Sequence, residues 1–309
     1  MTGVVGAIAP IFLLIVAGYA FKWRGFPGDA FWAPAERLSY FVLLPALIVH
    51  TLSRADLAGI QIGPLAVTLV SMTVATSALA MLLKPLLRVD GPAFTSILQG
   101  TIRLNAYLGF ALALAFFGTP GLTIAAVLVS FMMPTVNVIC IAALAVFGAD
   151  GRPSWTGVPV QIATNPLILA CAFGAALNAL GLPLPGWAMG ALGILGGAAL
   201  PLALLCVGAG LNLSPGRVRG GAVFATCVLK LAVAPAIAWA IAQATGLSGP
   251  SFAIAVLMAA TPASPASYVL ARQLGGDSGL MAGIITVETA LSVLTLSAIL
   301  VWLGSLATG

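Results

Sequence analysis

Long apolar runs of about twenty residues alternate along the chain with short polar connections. An α-helix needs roughly 20 apolar residues to cross the hydrocarbon core of a bilayer. The runs are continuous, whereas the strands of an outer-membrane barrel alternate apolar and polar residues. The pattern predicts an all-α integral membrane protein with ten transmembrane spans, at 3–21, 34–52, 62–83, 93–117, 121–147, 161–180, 187–211, 219–243, 250–273 and 278–303.

The fourth predicted span contains polar residues near its middle. Arg103 and Asn105 lie there, and Gly109 follows. An arginine at the bilayer centre costs roughly 3 kcal/mol unless a partner or a water-filled cavity receives it. Asparagine competes with the backbone for hydrogen bonds, and glycine adds backbone entropy. We therefore expect this helix to break at the membrane midplane, with the break facing a polar cavity.

A second interruption is predicted in the ninth span, at Thr261–Pro265, where two prolines remove backbone donors. The surrounding segment repeats the fourth span at an offset of 158 positions, so that Gly91-Pro92 matches Gly249-Pro250. Paired interruptions in two halves of a chain are a sequence signal of a transporter binding site.

Composition separates this chain from soluble proteins. It is 61% hydrophobic and 6% charged, with a mean hydropathy of +1.16, whereas soluble domains carry about 25% charged residues. The four cysteines lie inside predicted spans without disulfide or metal spacing. The basic residues are scattered, so we expect no nucleic-acid partner. The chain lacks the basic start of a signal peptide, so the first span is expected to remain.

The basic residues also predict the topology. One side of the membrane receives Lys22, Arg24, Arg37, Lys84, Arg88, Arg152, Arg217, Arg219 and Arg272. The other receives Arg54, with Arg103 and Lys230 left inside the membrane. Because cytoplasmic loops collect lysine and arginine, both termini are expected outside, on the periplasmic side of a cytoplasmic (inner) membrane. An odd number of spans per half makes the halves, 1–147 and 161–309, inverted repeats joined by a cytoplasmic linker at 148–160.

Several short motifs occur in a fixed order along the spans. They are Pro10–Tyr19 in span 1, Tyr40–Leu47 followed by Asp56 in span 2, Asn165–Ala170 in span 6, Ala199–Leu205 with Gly208–Leu211 in span 7, and the interruptions of spans 4 and 9. In this order they resemble the auxin efflux carrier family of membrane transporters, over almost the whole chain. The chain is similar to a bacterial member of the fold shared by bile-acid, arsenite and auxin transporters.

The resemblance implies ten helices in two inverted repeats, with helices 4 and 9 broken and crossing each other. Helices 1, 2, 6 and 7 would form a scaffold, often a dimer interface, here a homodimer through helices 2 and 7. Helices 3–5 and 8–10 would form a moving core. Family substrates are organic anions, including auxin, malate and malonate. One departure is that Gly109 is followed by Phe110 and Ala111, where the family has a Gly-x-Pro.

Broken helices would create an anion site by themselves. Each second half-helix begins with unpaired N–H groups and about half a positive charge. The candidate substrate-binding residues are Arg103, Asn105, Tyr107, Asn137, Thr261, Ser264, Pro265 and Ser267. Gly109, Pro262 and Pro265 are predicted to break the helices. For each side chain a purely structural role, in packing or in satisfying the broken backbone, is the alternative.

Two further charges lie inside predicted spans, Lys230 in span 8 and Glu288 in span 10. They are expected either to form a structural ion pair or to couple transport to protons through Glu288. Sodium coupling through carbonyl groups at the breaks is also open. No bound cofactor or metal is expected.

The predicted function is that of a secondary active transporter of mono- or dicarboxylates, lying in a lipid bilayer. An anion channel or uniporter on the same fold is the alternative, and a membrane sensor is a weaker one. An enzyme is disfavoured, since the chain has one histidine and lacks both His-Glu-x-x-His and Gly-x-Ser-x-Gly.

Overall fold

The computed structural model describes residues 2–57, 59–149, 160, 163–212 and 220–308, and all regular elements in these ranges are helices. We name them α1 (Thr2–Trp23), α2 (Asp29–Leu52), α3 (Ile62–Leu87), α4 (Gly91–Ile102), α5 (Ala106–Phe147), α6 (Pro166–Ala179), α7 (Gly186–Ala209), α8 (Gly220–Ala244), α9 (Gly249–Ala259), α10 (Ala266–Gln273) and α11 (Ser278–Thr308). The predicted all-helical membrane class is confirmed.

Seven helical segments of the described residues are long and apolar enough to cross a membrane. The prediction had ten spans. The difference arises because α4 and α5 count as one 57-residue segment, and because α6 and α9 have only 14 and 11 residues. Within α5 the backbone of Gly118 is non-helical (φ 63°, ψ −157°). A 42-residue helix would be about 63 Å long, twice the thickness of a bilayer core, so α5 consists of two helices that meet at this glycine.

Asparagine and aspartate side chains start four of these helices. Asp90 accepts a hydrogen bond from Ala93 N at 2.9 Å, and Asp277 accepts one from Leu280 N at 2.9 Å. Asn165 caps α6, and Asn105 caps α5. Such caps pair N–H groups that the first helical turn leaves free, which matters most where no water can pair them.

Two helix contacts depend on glycine. In the first, between α1 and α7, a Cβ added at Gly18 would overlap the Leu205 carbonyl. In the second, between α2 and α6, a Cβ at Gly174 would lie 3.3 Å from Val49 Cα. A shift of 156 positions converts one contact into the other, since Gly18 becomes Gly174 and Val49 becomes Leu205. Small residues allow the close backbone approach that membrane helices use for packing.

Contacts between residues at or near helix ends lie in two groups, one at each end of the molecule. At one end Asp277 N donates to the Pro92 carbonyl at 3.1 Å, and the Lys84 ammonium lies 3.6 Å from the centre of the Phe147 ring. At the other end Ser248 N donates to Gln61 Oε1 at 2.9 Å. The interruptions between α4 and α5 and between α9 and α10 lie along the chain between these two ends.

Some sequence predictions fall outside the described residues. Most of the predicted linker 148–160 does so, together with Arg152, Arg217 and Arg219 of the topology count. Span 2 was predicted to begin at residue 34, but its helix begins at Asp29. The Asp29 carboxylate pairs with the Lys22 ammonium at 2.7 Å.

Candidate functional site

The first interruption consists of Arg103, Leu104 and Asn105, between α4 and α5. The backbone is extended at Arg103 (φ −76°, ψ 137°) and at Asn105 (φ −86°, ψ 95°). Asn105 Oδ1 accepts a hydrogen bond from Leu108 N at 3.2 Å, so its side chain caps α5. The Asn105 side chain is fully buried. A new helix therefore starts directly after the arginine, inside the protein.

The second interruption runs from Ala260 to Pro265, between α9 and α10. Its prolines cannot donate backbone hydrogen bonds, which prevents α9 from continuing. Ser264 Oγ accepts a hydrogen bond from Ala266 N at 3.3 Å at the start of α10. Ala263 N donates to Oε2 of Glu288, in α11, at 2.8 Å. A carboxylate from another helix therefore satisfies this buried N–H group.

The two interruptions contact each other. Asn105 N donates to the Pro262 carbonyl at 2.8 Å. In the first turns of α5, Gly109 lies against Met258 of α9 so closely that an added Cβ would overlap the Met258 sulfur. One backbone hydrogen bond thus joins the two irregular segments in the interior, where non-helical backbone at membrane depth requires protein partners.

Gly109 was predicted to break the helix, but the structure places it inside α5. Its N–H donates to the Asn105 carbonyl at 3.0 Å, and it belongs to α5. The interruption has already ended at Asn105. The absence of a side chain at Gly109 leaves room for the end of the Met258 side chain of α9.

A cavity of about 500 Å³ lies beside the first interruption. Four of the predicted binding residues line it: Arg103, Tyr107, Asn137 and Ser264. Arg103 Nη2 donates to Asn137 Oδ1 at 3.1 Å. Arg37 and other exposed residues also line the cavity, so it reaches the protein surface. The arginine therefore lies at the wall of a cavity that is open at the protein surface.

The other predicted binding residues do not line this cavity, although all are described: Asn105, Thr261, Pro265 and Ser267. The Thr261 hydroxyl donates to the Met258 carbonyl at 2.8 Å, so it is used within the end of α9. Asn105 lies between Leu104 and Ala106, which both line the cavity. Pro265 likewise lies between the lining residues Ser264 and Ala266, so Asn105 and Pro265 are each adjacent in sequence to the cavity wall on both sides.

Several lining residues were missed by sequence reasoning. Glu36, Arg37 and Tyr40 come from α2, and Asn165 comes from the start of α6. Asn165 Nδ2 donates to the Tyr40 hydroxyl at 3.2 Å. Tyr40 and Asn165 each stand in a motif of the family resemblance, which could have indicated them. Glu36 and Arg37 resemble ordinary span-end charges, and no sequence signal distinguishes them.

Five polar side chains next to the cavity or to the interruptions have a buried atom without a hydrogen-bond partner among the described residues, and two of these, Ser267 and Glu288, lie at the second interruption. Arg103 Nη1 and Asn105 Nδ2 are such atoms, and both are donors. Gln99, in the last turn of α4, leaves both its side-chain oxygen and nitrogen unpaired. An unpaired buried donor costs about 1–3 kcal/mol, so the nitrogen atoms of Arg103, Asn105 and Gln99 favour a ligand with acceptor oxygens, whereas the Gln99 oxygen favours a donor.

Lys230 and Glu288 are both buried, with exposed fractions of 1% and 0%. Although both residues are described, they do not form a direct ion pair. Glu288 instead accepts the hydrogen bond from Ala263, while its Oε1 has no partner in the described part of the chain. A direct ion pair, one of the two predicted roles, is thus not formed, and Glu288 contacts the second interruption instead.

Across the residues that the structure describes, no group of three or more His, Cys, Asp or Glu side chains could hold a metal ion. The four cysteines are buried and free.

Comparison with known proteins places the chain among transporters. Residues 3–300 match the family described as membrane transport protein. An uncharacterized transporter of Methanothermobacter thermautotrophicus is 27% identical over 298 residues, which are 94% of this chain and 95% of the relative. A protein of Rhizobium meliloti, provisionally named a malonate transporter, is 26% identical over 308 residues, 97% of this chain and 96% of the relative.

Proposed function

Because the chain belongs to the membrane transport protein family, which includes the auxin efflux carriers, we propose that it is a secondary active transporter of small organic anions. The carboxylate of the substrate binds at the interruptions, beside Arg103 and Asn105. Transport proceeds by alternating access, in which the binding site opens to one side of the membrane at a time.

The observation that carries this proposal is the pair of unpaired buried donors, Arg103 Nη1 and Asn105 Nδ2. One donor belongs to the cavity wall, and the other lies between two wall residues. A carboxylate supplies acceptor oxygens and a negative charge that matches the guanidinium. The start of α5 adds about half a positive charge at the same place. This part of the cavity wall thus favours an anion over a neutral solute.

The inverted repeat is supported by the two glycine contacts. The Gly18–Leu205 and Gly174–Val49 approaches are related by a shift of 156 positions with the halves exchanged, as a pseudo-two-fold axis in the membrane plane requires. The same shift relates Pro45 to Pro201. We therefore interpret α1–α11 as ten membrane spans, in which α4 with the first half of α5 forms span 4, and α9 with α10 forms span 9.

The proposed orientation puts both termini outside a cytoplasmic membrane. Arg37, at the mouth of the cavity, belongs to the side that collects most of the lysine and arginine residues. The described conformation is then open to the cytoplasm. The homodimer through α2 and α7 is an expectation from the resemblance alone.

The substrate class is inferred from the cavity and from the relative. A space of about 500 Å³ accommodates a small dicarboxylate with water, and both Arg103 and Arg37 line it. The Rhizobium meliloti relative is provisionally named for malonate. We therefore expect short dicarboxylates such as malonate or malate among the substrates.

Uptake by purified protein in liposomes tests the proposal. Labelled malonate, malate and an aromatic carboxylate are offered with and without an inward proton or sodium gradient. Accumulation above the external concentration, reduced in Arg103→Ala but not in Arg24→Ala, is the expected result. Arg24 is exposed in a connection and controls for the loss of one positive charge. Uptake that only equilibrates would favour a channel or uniporter, and no uptake of any acid would contradict the anion proposal.

A further inference from the structure

A second pair of polar side chains lines the cavity from helices other than the interrupted ones. Tyr40 extends from α2, and Asn165 starts α6, which packs against α2. The two side chains bond to each other, with Asn165 Nδ2 donating to the Tyr40 hydroxyl at 3.2 Å. The proposed carboxylate site at Arg103 and Asn105 does not involve this pair.

The Asn165 amide has a fixed orientation. Its Oδ1 accepts hydrogen bonds from Leu167 N at 3.0 Å and from Ile168 N at 3.3 Å, at the start of α6. Since an amide oxygen has two lone pairs, these two bonds occupy it fully. The Nδ2 group therefore points to Tyr40, and it can only donate to the hydroxyl oxygen.

This orientation decides what the Tyr40 hydroxyl can do. A phenol has one hydrogen to donate, and here its oxygen already accepts from Asn165. Among the residues that the structure describes, no group accepts the hydroxyl hydrogen of Tyr40. Because both residues line the cavity, the hydroxyl is left as a free donor at the cavity wall.

The backbone of α2 is unusual at the same place. Tyr40 belongs to a π-helical turn, Ser39–Leu43, and Pro45 follows without an N–H group to donate. Single π-helical turns inside α-helices occur frequently at functional sites. Tyr107 also lines the cavity, but no hydrogen bond with a described residue orients its hydroxyl. Tyr40 is therefore the cavity tyrosine whose donor is pre-organised.

We propose that Tyr40, oriented by Asn165, forms a second subsite of the cavity and donates a hydrogen bond to another acceptor oxygen of the substrate. The inference rests on the proposed function, in which the first carboxylate binds beside Arg103. The ligand class is an acid with a second oxygen-bearing group, such as a short dicarboxylate. A substrate bound in this way contacts α2 as well as the interrupted helices, so Tyr40 selects against acids whose other end is apolar.

Two acids of the same shape test this subsite. In isovalerate, two methyl groups replace the oxygens of one malonate carboxylate. The affinity for labelled malonate is measured from concentration-dependent uptake into liposomes, and that for isovalerate from its inhibition constant against malonate uptake. The variants are Tyr40→Phe, Asn165→Ser and both together, with Tyr268→Phe as control. Tyr268 is an exposed tyrosine of α10 that does not line this cavity.

Tyr40→Phe removes the donor and keeps the ring, so malonate binding should weaken about tenfold, as expected for the loss of a hydrogen bond to a charged group. Isovalerate binding should stay unchanged, because methyl groups accept no hydrogen bond. Asn165→Ser keeps an oxygen that can cap α6 but loses Nδ2, so malonate binding should weaken less than in Tyr40→Phe. The double variant should bind malonate as Tyr40→Phe does, since Asn165 acts through Tyr40, and Tyr268→Phe should match the wild type.

Equal malonate affinity in Tyr40→Phe and the wild type would overturn this inference and leave the proposed function intact. Equal weakening of both acids would also overturn it, because it would indicate a distorted cavity and not a lost contact. If isovalerate does not compete in the wild type, the malonate affinities decide alone.

Melting temperatures in detergent show whether each variant folds, and Asn165→Ser decides if Tyr40→Phe does not. Absence of uptake of any acid by the wild type would be a different result. It would contradict the proposed function, and the subsite with it.

Discussion

At both interruptions N–H groups of the broken backbone are hydrogen-bonded, but the acceptors differ. At the first, the Asn105 side chain caps its own helix, and its N–H binds the Pro262 carbonyl. Under the 158-position offset Asn105 corresponds to Ala263, and Pro262 corresponds to Leu104. A symmetric arrangement would therefore also have Ala263 N donate to the Leu104 carbonyl. Ala263 N instead donates to Glu288. Both halves therefore have an interrupted helix at the corresponding position, but different side chains hydrogen-bond to its backbone.

This difference has a functional consequence. At the same offset Arg103 corresponds to Thr261, and Glu288 corresponds to Ser130, so the charge beside each interruption has no counterpart in the other half. The first interruption has two unpaired buried donors beside the cavity, whereas a backbone N–H group of the second is bound by a carboxylate. We therefore expect substitutions at the first to change transport and those at the second to change stability.

The largest expected effect is on stability at the second interruption. Glu288→Ala removes the acceptor of Ala263 N and leaves the Lys230 charge buried, which should destabilise the protein by about 3–5 kcal/mol. Thermal unfolding in detergent measures this. Glu288→Gln keeps the acceptor and should lose less. A Glu288→Ala protein with wild-type stability would remove the distinction between the two sites.

Arg103 should instead affect substrate affinity. Arg103→Ala removes a charged hydrogen-bond donor, and losing such a bond costs about 1.5–3 kcal/mol, or roughly a 10- to 150-fold weaker apparent affinity. Arg103→Lys keeps the charge but cannot form the planar fork, so it should fall between wild type and Ala. Concentration-dependent uptake measures the effect, with Arg24→Ala as control. Equal affinities in all four proteins would exclude Arg103 from the binding site.

Gly109 tests the contact between the two interrupted segments. Gly109→Ala would place a methyl group on the Met258 sulfur, and overpacking of this kind costs about 1–3 kcal/mol. Gly197, on an exposed position of α7 with no atom near its added Cβ, is the matched control and should tolerate alanine. The melting temperatures of the two variants are compared. Combining Gly109→Ala with Met258→Ala should recover part of the loss, and failure to do so would mean that the contact is not close.

Asn105 gives the smallest and most specific effect. Asn105→Ser retains an oxygen that can cap α5, because serine and asparagine cap about equally well, but it removes the amide donor. We expect nearly unchanged thermal stability with an apparent substrate affinity about tenfold weaker, as for the loss of one hydrogen bond. Asn105→Ala should lose stability as well. If the serine variant were unstable but bound substrate normally, the asparagine would serve the backbone alone.

Some features of the site could be predicted because their causes are local. Arg103 and Asn105 are polar residues in an apolar run, and the prolines of Thr261–Pro265 act within one helical turn. Other features could not be predicted. Gly109 was expected to break a helix, since a sequence does not show that Met258 of another helix needs the space. Glu36 and Tyr40 reach the cavity only because α2 packs beside α5 and α6.

By itself the sequence determined that this is a helical membrane protein of a transporter family. Hydropathy and the length of apolar runs are sums over neighbouring residues, and they require no knowledge of contacts. Only the tertiary structure decided which polar atoms meet. Arg103 binds Asn137 from 34 positions away, and Ala263 binds Glu288 from 25. Several buried polar groups could have satisfied each of these atoms, and the packing of the helices selected one.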